Sequence, residues 1–173
     1  MKKEIRTILK NRAIAMAQEP EQKRVSIANI EIIVFTLACE TYGLESAFVR
    51  EVCPLRDLTP LPGVPSFIFG VINVHGQILP VIDLKKFFDL PEKGLSENKK
   101  VIILYNEQME FGIVADVVEG IQTFALEDIL NTPPTLTEIG KKYLKGVTKE
   151  HIMVLEAERI LNDKKIIVNE EVI

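Results

Sequence analysis

Residues 32–44 read Ile32-Ile33-Val34-Phe35-Thr36-Leu37-Ala38-Cys39-Glu40-Thr41-Tyr42-Gly43-Leu44, and their pattern is that of a β-hairpin. An apolar, β-branched run over 33–39 gives way to the polar pair Glu40-Thr41, after which Tyr42-Gly43-Leu44 resumes the run. The same pattern recurs downstream. An apolar strand at 101–105 meets a polar turn at 106–108, and 109–114 returns. Tyr42-Gly43-Leu44 falls on Phe111-Gly112-Ile113 at an offset of 69, which also places Val49 on Val118 and Val52 on Ile121.

The repetition extends past the hairpins. Each copy enters a proline-bearing connection, Leu58-Thr59-Pro60-Leu61-Pro62 in the first and Leu130-Asn131-Thr132-Pro133-Pro134 in the second. Gly70-Val71 and Gly146-Val147 then open a strand, and apolar strands follow at 78–82 and 152–155. Each copy closes with an acidic residue at the head of a short helix, Asp83 in one and Glu156 in the other. Five short strands per copy are enough to curl into a small barrel. A barrel of roughly 65–70 residues leaves little net stability alone, so two should pack through a shared apolar interface. The expected organisation is a domain over 29–166, with a first repeat at about 32–90 and a second at about 100–163. The charged stretch 89–99, with Pro91 and Gly94, reads as the linker between the copies.

Outside the repeats, Ile5, Ile8, Leu9, Ala13 and Met16 sit at helical spacing, and Pro20 with its charged neighbours stops that helix. Residues 1–28 are therefore a helical extension and linker, read as a cap on the domain rather than a membrane-surface helix, because the stripe lacks Trp and Phe. Residues 167–173 form a tail. The segment 164–173, with Ile166-Ile167-Val168, reads as an edge packed on the body. No window holds 18 uninterrupted apolar residues and no signal peptide opens the chain, so a cytoplasmic protein without direct membrane insertion is expected.

With 47% hydrophobic and 27% charged residues the composition is globular, which excludes disorder. Net charge is −4, and it is uneven: residues 1–24 carry +4 and the remainder −8. An acidic body without a basic aromatic stripe argues against nucleic acid. Glycine spacing fits neither a P-loop nor a dinucleotide fingerprint, no serine sits in a GxSxG elbow, and His75 and His151 lack HExxH or CxxC companions. No catalytic residue, metal site or cofactor is expected. Cys39 and Cys53, both in apolar runs, read as reduced core residues.

The stretch from Phe35 through Glu40-Thr41-Tyr42-Gly43-Leu44, Leu58-Thr59-Pro60-Leu61-Pro62-Gly63-Val64-Pro65 and Gly70-Val71-Ile72-Asn73-Val74-His75-Gly76-Gln77-Ile78-Leu79-Pro80-Val81-Ile82-Asp83-Leu84 closely resembles the CheW family of chemotaxis coupling proteins. The likeness continues through Phe111-Gly112-Ile113, Asp116-Val117-Val118 and the C-terminal Gly146-Val147, covering about residues 30–165. It implies an all-β fold with short helices: two SH3-like five-stranded barrels around a shared core. It also implies a non-catalytic adaptor in signal transduction. Its expected partners are the cytoplasmic tip of methyl-accepting chemoreceptors and the regulatory domain of the histidine kinase CheA, and its expected place is a membrane-associated receptor array. An adaptor for a dedicated receptor and kinase in a non-flagellar pathway, motility or development, is the alternative.

Carried over by position, the family's receptor-facing groove corresponds to Val49, Glu51, Gly70, His75, Ile78, Gly112, Val118 and Ile121. Apolar walls would come from Val49, Val118 and Ile121, a charge lock from Glu51, and close approach from the glycines. The kinase-contacting strands are not indicated. His75 stands where the family's turn usually carries Arg, which exchanges a permanent fork of donors for a titratable ring. Of the equivalent pair Val52 and Ile121, at least one is expected to be buried.

Overall fold

A hairpin whose strands are apolar at nearly every position must bury both faces, and the architecture follows from that demand. The computed structural model describes residues 28–92, 97–131 and 138–167. The helix expected over 3–18 and the end of the tail lie outside the described residues. Strands β1 (Asn29–Leu37), β2 (Glu40–Glu45), β3 (Val49–Pro54), β4 (Ile68–Val74) and β5 (Gln77–Ile82) lead into the short helix α1 (Leu84–Phe87). Then come β6 (Lys100–Tyr105), β7 (Glu110–Ala115), β8 (Val117–Ala125), helix α2 (Glu138–Tyr143), β9 (Leu144–Val147) and β10 (Met153–Leu155). Helices α3 (Ala157–Leu161) and α4 (Lys164–Ile167) end the described chain. The fold is all-β with short helices.

The ten strands form two five-stranded sheets, ordered β8-β1-β2-β10-β9 and β3-β6-β7-β5-β4. Neither sheet is one copy of the repeat. The first takes its hairpin from the first copy and its other three strands from the second, and the second sheet does the reverse. This corrects the expectation that each copy curls up by itself and that 89–99 joins them. That stretch separates α1 from β6 in the sequence, and the strands before and after it, β3 to β5 and β6 to β7, belong to the same second sheet. The chain changes sheets instead at the one-turn helix Ser46–Phe48 and at the single residue Asp116. The reason is geometric. A tight reversal takes about two residues, so one residue between β7 and β8 can only carry the chain onward into the neighbouring sheet.

Register upholds the 69-residue correspondence. Phe35 lies opposite Val118 as Leu104 lies opposite Val49, and Ile33 lies opposite Ile121 as Ile102 lies opposite Val52. Each ladder carries its bulge at the matching point, bypassing Glu119 in one sheet and Arg50 in the other.

Alternation along the central strands sorts the core into three. Ile33, Phe35 and Leu37 of β1 meet Ile102 and Leu104 of β6 in one cluster shared by both sheets, which Tyr143, Leu155 and Ile160 extend. The opposite faces fill each sheet's own interior, with Ile32, Val34 and Val154 in the first and Val81, Val101 and Ile103 in the second. Gly43 and Gly112 sit at matching points where the hairpins meet parallel neighbours, and a Cβ there would overlap Ile32 or Val101.

Details at the ends differ from expectation. The first hairpin turns at Ala38-Cys39, before the polar pair, because Leu37 and Glu40 close the ladder. Ala38 and Cys39 have φ of +50° and +69°, and Cys39 is exposed rather than core; Cys53 is half-buried. Segment 164–167 is helical rather than an edge strand, although Ile166 does pack into the shared core. Asp83 caps α1 by accepting the Lys85 amide at 3.0 Å, whereas Glu156 makes no side-chain cap on α3.

Candidate binding site at the seam between the sheets

Residues directly opposite one another in a ladder share a face. Val52 therefore points to the same side as Ile102, and Ile121 to the same side as Ile33, and both partners belong to the shared core. Ile78 shares its face with Ile82, also in that core, because the residues between them alternate along β5. Yet Val52, Ile78 and Ile121 are 36%, 69% and 63% exposed. Three apolar side chains thus continue the inter-sheet faces out past the edge of the buried cluster. Neither Val52 nor Ile121 is buried, contrary to expectation: β3 and β8 are edge strands, so the shared face runs out of cover at their outer positions.

Val49 opens β3, Val118 is the second residue of β8, and both are partly buried against the shared core, one from each sheet. They anchor the inner end of the seam. Glu51, one residue past the bulge, faces the other way and meets His75, whose Nε2 lies 3.1 Å from Glu51 Oε2. β3 and the β4–β5 hairpin lie at opposite ends of the strand order, so this contact requires the second sheet to curl until its edges approach. His75 occupies the turn with φ +52°, and Asn73 Oδ1 accepts the Gly76 amide at 2.8 Å to hold it. Beside it Arg50 pairs with Glu110, stacks on the Tyr105 ring at 5.1 Å, and Glu110 also accepts from Gln77 at 3.3 Å.

Gly70 and Gly112 belong to the interior. Gly70 has φ +153°, and a Cβ would come 2.5 Å from the Thr59 carbonyl, whose residue forms a bridge with Val71. Its counterpart Gly146 is pressed equally close to the Leu130 carbonyl, beside the matching bridge to Val147. Both glycines let a neighbouring backbone segment lie on the sheet, at Thr59 in one copy and at Leu130 in the other, and with Gly112 they shape the walls from behind without presenting a surface. Of the eight expected groove residues the structure brings Glu51 and His75 together, sets Val49 and Val118 on one core, and leaves Ile78 and Ile121 open to a partner. Val52, Arg50 and Glu110 were not among the expected groove residues. Equivalence to Ile121 in the 69-residue repeat is the sequence signal from which Val52 can be found.

The chemistry here is that of contact. Among the described residues no three His, Cys, Asp or Glu side chains are grouped to hold a metal ion, and no helix is long and apolar enough to cross a membrane. Cys53 lies near this surface, and burial followed by the Glu51 charge pushes its thiol pKa up, away from the reactive thiolate.

An exposed apolar seam between two interleaved β-sheets defines a binding scaffold. Comparison with known proteins agrees. Residues 31–165 match the model of the CheW-like domain. The chain is 28% identical to a chemotaxis protein CheW of Treponema pallidum over 91% of its own length and 93% of that protein's. It is 33% identical to protein FrzA of Myxococcus xanthus, covering 80% of this chain and 81% of that one. The crystal structure of the scaffolding protein TtCheW from Thermoanaerobacter tengcongensis superposes with a TM-score of 0.70 at 32% identity, over 80% of this chain and 91% of that one. This chain belongs to the CheW-like family, a family of scaffold adaptors rather than enzymes.

Proposed function

We propose that this chain couples methyl-accepting chemoreceptors to the histidine kinase CheA, holding the receptor tip along the seam and the kinase regulatory domain on a second surface. The observation that carries the seam assignment is the outward run of Val52, Ile78 and Ile121 on the faces that otherwise form the shared core. A receptor tip is a helical hairpin, and helices dock by laying an apolar stripe into such a groove with a few polar locks at the rim. Glu51 and His75 supply the locks. The protein acts in the cytoplasm at receptor arrays, where many modest contacts add through avidity.

Kinase activation in an assembly reconstituted from receptor, kinase and this chain tests the reading. Ile121→Asp or Glu51→Lys should abolish receptor-dependent activation while urea unfolding stays within about 0.5 kcal/mol of the parent, as for most surface changes. Normal activation by both variants would overturn the seam assignment.

A second pathway fits the same scaffold: a dedicated, non-flagellar receptor and kinase. His75, standing where the family's turn carries Arg, favours it, since a ring offers one or two donors where a guanidinium offers a fork. Whether flagellar or other motility genes neighbour the coding sequence distinguishes the two.

A further inference from the structure

β8 is the outer strand of the first sheet, paired on one side only, by β1. Its exposed Ile121 shares a face with Thr123, and opposite Thr123 stands Glu31 of β1, also exposed. Acidic side chains predominate along this strip: Glu31, Glu119 and Glu127 lie on or just after the two strands, residues 29–36 and 117–128 contain no Lys or Arg, and the one cation that reaches its end, Lys149, is already paired with Asp128 at 2.9 Å. The chain enters the fold at one end of the same strip. Asn29 pairs with Ala125, and the Ala28 carbonyl accepts the Leu126 amide at 2.9 Å.

The segment that arrives there has the complementary character. Ile5, Ile8, Leu9 and Met16 recur at helical spacing, and Lys2, Lys3, Arg6, Lys10 and Arg12 accompany them, with Glu4 the one acid among residues 1–18. Residues 19–27 connect it to Ala28, and nine residues reach about 30 Å when extended, ample to fold back along β8.

We propose that residues 3–18 dock in cis on the β8 strip, with their apolar stripe on Ile121 and their basic residues over Glu31, Glu119 and Glu127. A short tether holds such a segment at a local concentration in the millimolar range, so a weak contact suffices to keep it in place. Because Ile121 is also assigned to the receptor seam, the docked segment competes with the receptor helix. That consequence rests on the proposed function, whereas the docking does not.

Methyl NMR on the full-length chain tests the docking without any partner. Cross-peaks are expected between the Ile121 methyl and the methyls of Ile5, Ile8 or Leu9. Ile8→Asp with Leu9→Asp should abolish them and shift the Ile121 resonance, leaving Ile102 and Ile103 unmoved. Glu119→Lys should weaken the same cross-peaks from the other side. Absence of the cross-peaks in the parent chain would overturn the proposal. So would cross-peaks that vanish on dilution, which would assign the strip to a second copy of the chain. Docking that stands while the double variant binds receptor no differently would overturn only the seam assignment.

Discussion

Lys85 Nζ lies 3.0 Å from Asp116 Oδ1, and both side chains are shut away from water. Asp116 is the residue at which the chain passes from β7 into β8. Its second oxygen accepts the Ala38 amide at 3.1 Å and its own amide donates to the Thr36 carbonyl at 3.0 Å. One carboxylate thus ties α1, the crossing point and the β1–β2 turn together. Removing one member of a buried pair strands the other charge, at about 3–5 kcal/mol. Lys85→Met should lower the unfolding free energy by that amount in urea, and Lys85→Met with Asp116→Asn should be less damaging than the sum of the two changes. Strict additivity would show that the pair does not act as a unit.

The turn that Asp116 supports is itself unfavourable. Ala38 and Cys39 both hold positive φ, a conformation that costs a residue bearing Cβ roughly 1 kcal/mol and that Asn-Gly adopts readily. Ala38→Asn with Cys39→Gly should raise stability by about 1 kcal/mol, measured by the urea midpoint at unchanged slope. Destabilisation would mean that the Ala38 and Cys39 side chains themselves matter to packing.

Gly112→Ala should destabilise by about 1–3 kcal/mol, the usual result of overfilling a packed core, because the new methyl overlaps Val101. Pairing it with Val101→Ala should recover part of the loss. If Val101→Ala instead deepens it, the clash lies with the backbone rather than with that side chain.

Asp163 contributes to the acid limb of stability. Burial pushes its pKa up, but hydrogen bonds from the Tyr143 hydroxyl, the Lys165 amide and Lys142 outweigh it and hold the carboxyl below the ordinary carboxylate range. A group whose pKa is lowered on folding stabilises fully above its unfolded value, near 3.9, and loses that contribution as pH falls through the folded value. Urea unfolding at pH 7, 4.5 and 3 should therefore show a steeper loss below about pH 4 in the parent than in Asp163→Asn. Parallel curves would remove Asp163 from the account.

The Glu51–His75 contact is exposed on the His side and should add little to stability, within about 1 kcal/mol. His75→Ala is expected to leave the unfolding midpoint nearly in place, and to weaken receptor engagement in a binding titration. Ile78→Ser should act in the same direction by removing apolar contact. A large stability loss in either would recast the rim as part of the fold.

Much of this architecture can be read from residue order alone. The hairpins, the 69-residue offset and the Gly-Val strand starts recur in register, down to the matching bulges, because side-chain alternation and turn chemistry are local. What the order of residues hides is partnership. Val101 and Ile32 announce a strand that is apolar on both faces, yet nothing nearby states which copy supplies the neighbour, so the exchange of strands leaves no local mark in the sequence. Exposure failed for the same reason: Val52 and Ile121 look like core residues until edge strands are identified. Cys39 shows the local limit, since an Ala-Cys pair lacks the Asn-Gly mark of a tight turn.

The exchange of strands has a consequence during biosynthesis. Residues 49–115 leave the ribosome as a complete set of mutual partners, while the hairpin 29–45 emerges earlier and finds its parallel neighbour β10 only after another hundred or so residues. At about 5–20 residues per second the β2 edge of that hairpin waits on the order of 5–20 s uncovered. An early-emerging hairpin is therefore among the last to gain all its neighbours, and it is the part most in need of a chaperone's shelter.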